Sequence, residues 1–128
     1  MDLIDLVDPA TTVVLTQECQ RGVIGDLSAL PALADAARAT GVIDNIGRIV
    51  EVGRDAGCPI VHCIAATRAD RLGASTNAPL FAAAARGPVT LLPGSEAVEV
   101  VDGISVRESD IVSTRLAGLS PVTAPRCR

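Results

Sequence analysis

Glu18, Gln20 and Arg115 are the residues whose types and positions could do chemistry together. Glu18 and Gln20 end a near-continuous apolar run, TTVVLTQECQRGVIGD from Thr11 to Asp26, where it turns into a glycine loop. A buried strand that stops on polar side chains delivers them to a rim, and rims beyond the ends of parallel strands are where ligands bind. Arg115 follows a second short apolar stretch, Asp110-Ile-Val-Ser-Thr114, and would reach the same rim. A carboxylate there can take up and return a proton. A guanidinium can stabilise negative charge but keeps its own proton near neutral pH. Between the two runs, the polar stretch from Ala65 to Ala78 holds Arg68, Asp70 and Asn77. Arg68 and Asn77, with Gln20, are the candidate substrate contacts.

The elements that must position these groups are legible as alternating strands and helices. Thr12 to Thr16 reads as a strand covered on both faces, because its apolar run is continuous rather than alternating. After Gly22 and Gly25, Asp26 or Ser28 could cap a helix starting near Pro31, with Leu33, Ala36 and Ala37 as its apolar stripe. That helix should break near Thr40-Gly41. A second helix spans Val42 to Ala56, with Ile43, Ile46 and Val50 at three- and four-residue spacing and charged residues opposite. Gly57 and Pro59 stop it. Cys58 to Ile64 is the second strand, so strand, helix and strand form a βαβ unit. Pro79 to Arg86 reads as a short alanine-rich helix and Val89 to Leu92 as a brief extended piece. Glu96 to Val101 is either a helical turn or a strand. Asp110 to Thr114 is the third strand. The expected architecture is a single α/β domain over residues 1–128, three-layer and Rossmann-like, with a mostly parallel sheet.

Composition removes several function classes. Apolar residues make up 48% of 128 residues, and Phe81 is the only aromatic, which leaves no platform for stacked bases or sugars. The net charge is −4 and basic residues do not cluster, so no nucleic-acid partner is expected. MDLIDLVDP carries acids where a signal peptide carries positive charge, and no apolar run approaches a membrane span. A cytoplasmic location is the expectation. The four cysteines, Cys19, Cys58, Cys63 and Cys127, have no CxxC spacing; Cys58 and Cys63 read as packing residues. The single histidine, His62, lies inside a strand and reads as a hydrogen-bonded core residue. Neither metal nor cofactor is expected.

In order and spacing, these motifs resemble the isochorismatase-like cysteine hydrolases. Glu18-Cys19-Gln20-Arg21-Gly22 is similar to the acidic end of the family's first strand, where Asp is the usual acid. Gly57-Cys58-Pro59-Ile-Val-His62 resembles its second strand, and Arg68, Asp70 and Asn77 fall in a loop similar to its substrate-side loop. Asp110-Ile-Val-Ser-Thr-Arg115 resembles the strand before the family's basic residue, usually Lys. Leu119-Ser120-Pro121 resembles the segment that follows, with Val122 standing where the family has Phe.

The resemblance implies a roughly complete match from residue 9 to 121 and a chemistry of three groups. A thiolate attacks a carbonyl or a vinyl-ether-type carbon, a carboxylate moves the proton, and a cation steadies the developing charge. Glu18 would be the carboxylate and Arg115 the cation. The family's nucleophilic cysteine lies beyond the basic residue, on a later strand and helix, and this chain ends before that point. The expectation is therefore a truncated hydrolase domain, inactive as it stands, acting on an amide, carbamoyl or vinyl-ether bond when complete. The first strand would be left with an open edge, which invites a homo-oligomer or a partner chain. Two other readings remain: a non-catalytic partner protein derived from such a hydrolase, and a small α/β ligand-binding module using the loop from Arg68 to Asn77.

Overall fold

Proline and glycine punctuate the helices where the sequence leads one to expect. In the computed structural model, which describes residues 2–116, Pro31 opens α2 (Pro31–Ala39) and Pro79 opens α4 (Pro79–Arg86). Between them lies α3 (Val42–Asp55). Gly57 follows it with φ 86°, a left-handed conformation that costs a residue without Cβ little. A single helical turn, α1 (Leu3–Leu6), precedes them and buries none of its residues. No described helix is long and apolar enough to cross a membrane.

The strands are β1 (Val14–Gln17), β2 (Ile60–Ala65) and β3 (Ile111–Arg115). They form a parallel sheet in the order β1-β2-β3. Register aligns Thr16 with His62 and His62 with Val112; at the shared end of β2 and β3, Ala65 stands beside Arg115. The core lies between the sheet and α3, where Val50 and Ile60 meet Cys19, Val101 and Ile104, with Val14, Ile43 and Ile46 packed against them. Helix and loop approach so closely that any side chain at Gly47 would collide with the Gly103 carbonyl oxygen.

Several expectations need correction. The first strand is displaced by two residues at its start. The residue before α2 is Leu30, not Asp26 or Ser28; the Ser28 hydroxyl instead accepts from the Leu30 N–H (3.0 Å) and donates to the Val23 carbonyl (2.5 Å). The buried face of α2 is Ala34 and Ala37, while Leu33 is exposed. Val89 to Leu92 pairs into no strand, and of the two readings of Glu96 to Val101 the helical turn is the one found, as a 3-10 turn at Glu96–Val98. Among the described residues α3 packs on one face of the sheet, with α2 against it. On the other face, Leu15, Val61 and Ile111 align across the three strands, and Leu15 (42% exposed) and Ile111 (57% exposed) are open. The layer expected there is not found among residues 2–116. Leu119-Ser120-Pro121 and the tail lie outside the described residues.

Candidate functional site

The site begins where β1 stops. Glu18 adopts φ 54°, a left-handed conformation that costs a non-glycine residue about 1–3 kcal/mol. Its N–H is held by the Cys63 carbonyl at 2.8 Å. The turn breaks the alternation of the strand, so Glu18 stays at the rim while Cys19 and Gln20 drop inward. Gln20 is fully buried. Its Oε1 accepts from the Ala65 N–H (2.7 Å), and its Nε2 donates to the carbonyls of Ala65 (2.8 Å) and Val98 (3.3 Å). The backbone of Gln20 also bridges to Val100. Expected as a substrate contact, Gln20 is instead placed beneath the rim, where it ties the end of β2 to the segment after the 3-10 turn.

Above it, Arg115 Nη2 donates to Glu18 Oε1, a pairing between the ends of β1 and β3. The Arg115 side chain is 7% exposed and that of Glu18 30%. The Arg115 carbonyl accepts from the Ala66 N–H (2.8 Å), which fixes the end of β3 against β2. Burial pushes the Cys63 thiol above its ordinary range, and the nearby Arg115 charge opposes that only in part. Burial likewise raises Cys19. Cys19, Cys58 and Cys63 are all buried, so none offers an accessible thiolate. Cys127 lies outside the described residues.

A second polar chain lies one layer below. Thr16 Oγ1 meets His62 Nδ1 at 2.9 Å, and His62 Nε2 faces Asp110 Oδ2 at 3.4 Å. The same carboxylate oxygen accepts from Arg54 Nη2 (2.7 Å) and from the Arg107 N–H (2.8 Å). Arg54 reaches back to Glu51 (2.8 Å). The Thr16 hydroxyl can donate to or accept from Nδ1, whereas the carboxylate facing Nε2 can only accept, which favours the tautomer with its proton on Nε2. Burial works against the Asp110 charge, yet the hydrogen bonds from Arg54 and Arg107 outweigh it and hold its carboxyl below the usual range. This chain joins β1, β2, α3 and the start of β3. Among the described residues no group of three or more His, Cys, Asp or Glu could hold a metal ion.

Glu18 and Arg115 open onto a cleft of about 530 Å³, whose walls include Leu30, Phe81 and Leu91. Asn77 lines it and Arg68 does not. Arg68 is bound to Asp70 (Nε to Oδ1, 2.9 Å), which holds the Asp70 carboxyl at about 2. The loop arginine that lines the cleft is Arg71, a residue the sequence did not single out. Nothing in a polar loop distinguishes one arginine from another three positions away; only the turn between them, Arg71 N–H to Arg68 carbonyl (2.9 Å), sets which faces inward. A larger groove, bounded by Gly47, Ile64 and Val112, runs along α3 away from this pair. Compared with protein-family models and with curated proteins, the chain matches none.

Proposed function

We propose that the cleft is the substrate end of a small-molecule hydrolase centre of the isochorismatase-like kind. The observation that carries this reading is the pairing of Glu18 with Arg115 at the rim of a parallel sheet, open to a cleft of small-molecule size. Glu18 would move the proton, and Arg115 would steady charge developing on a carbonyl oxygen. Asn77 contributes a substrate contact from the loop after β2. Gln20 acts from beneath, by positioning Ala65 beside Arg115.

The described residues supply no accessible thiol, and that favours a second, non-catalytic form of the same reading: the chain binds a small carbonyl compound without cleaving it. The test is to incubate the purified chain with simple amides, N-carbamoyl compounds and vinyl ethers and follow product. No turnover above buffer is expected. Turnover abolished by Glu18→Ala would overturn the non-catalytic form and leave the hydrolase centre standing. Turnover that survives Glu18→Ala would place the chemistry elsewhere and overturn both.

A further inference from the structure

We infer that the cleft takes a ligand with a carboxylate group, anchored by Arg71 on the loop that follows β2. This deepens the reading above, since it names the chemical class that the same cleft selects. The Ser75 hydroxyl donates to Asn77 Oδ1 (2.6 Å) and accepts from the Asn77 N–H (3.3 Å), so it is committed within the loop. With its oxygen occupied, Asn77 presents Nδ2, whose two N–H groups are donors only. Arg71 presents a guanidinium, again donors only, and among the described residues no carboxylate pairs with it. The neighbouring Arg68 has Asp70.

Glu18 and Arg115 satisfy each other at the strand end of the cleft, whereas its loop end offers a cation and an amide with no acceptor among the described residues. Arg71 holds φ 57°, and the Ala74 N–H donates to its carbonyl (3.0 Å). The backbone is thereby set by the loop, leaving the side chain available. An acceptor-only, negatively charged group suits two uncommitted donors, and the guanidinium fork matches a carboxylate in particular. The apolar walls between the two ends suit the body of the same molecule. In a chain of net charge −4, such a site selects by local pairing, not by the overall field.

The probes are benzoate and its uncharged counterpart benzamide, titrated into the full chain while the Arg71 Nε and Asn77 Nδ2 resonances are followed by NMR. Benzoate is expected to shift both saturably and to bind at least about tenfold more tightly than benzamide. Arg71→Asn, chosen because asparagine tolerates a left-handed φ, should bring benzoate down to the affinity of benzamide. Arg68→Gln should leave benzoate binding unchanged. Equal affinity for the two probes, unaltered benzoate binding in Arg71→Asn, or an equal loss in Arg68→Gln would each overturn the assignment. Benzamide that shifts Glu18 and Arg115 without discrimination at Arg71 would sink the carboxylate anchor alone; probes that move neither end would sink the cleft reading with it.

Discussion

Asp110→Ala is expected to be the most damaging single substitution, costing about 3–5 kcal/mol. It strands the Arg54 guanidinium, whose side chain is 10% exposed, with Glu51 as its remaining charged neighbour. It also leaves His62 Nε2 facing nothing. Against a typical total of roughly 5–15 kcal/mol for a domain, that loss can unfold the chain, so Asp110→Asn is the informative companion. Asparagine keeps the shape and can turn its amide toward His62, which would move the ring proton to Nδ1. Urea unfolding gives the stability difference, and imidazole ¹⁵N shifts report the tautomer. The sign of the pH dependence follows from the lowered Asp110 carboxyl. Its folded-state value lies below its unfolded value, so its contribution is present above the unfolded range. That contribution is lost as pH falls through the folded value. Wild type should therefore lose stability more steeply than Asp110→Asn on the acid side. Equal slopes would show that the carboxylate is not the hub.

Gln20→Met is expected to cost about 2–4 kcal/mol despite nearly conserved volume, because it removes the partners of the Ala65 N–H and of two carbonyls in a buried place. Hydrogen exchange at the Ala65 N–H should accelerate along with the loss of stability. The damage should also spread to the rim, since Ala65 stands in register with Arg115. A Gln20 variant as stable as wild type would mean that the glutamine is not structural and would return it to the list of ligand contacts.

What the sequence made legible follows from where the determining interactions lie. The spacing of Ile43, Ile46 and Val50, closed by Gly57, specifies α3 within one segment, and the helix forms where its pattern lies. The short apolar stretch before Arg115 likewise delivers a cation to the rim. Gln20 was not legible, because its direction depends on the left-handed turn at Glu18 and on carbonyls 45 and 78 residues away. Asp110 reads from the sequence as the start of a strand. Its role as a carboxylate hub depends on Arg54 and His62 arriving from other elements. The same holds for Arg71, which local polarity cannot separate from Arg68. The open sheet face was half legible: β1 was expected to need cover on both sides, and the aligned Leu15 and Ile111 bear only one layer among the described residues.

The most direct test of the cleft as a small-molecule centre is to map where simple amides bind. Arg115 Nε and the Glu18 carboxyl ¹³C resonances would be followed in the full chain during titration. Both should shift together and saturate at the same amide concentration, and the response at Arg115 should change character in Glu18→Gln. Amides that leave both resonances unmoved, or that perturb only residues along the α3 groove such as Gly47 and Val112, would contradict a functional role for the Glu18–Arg115 pair.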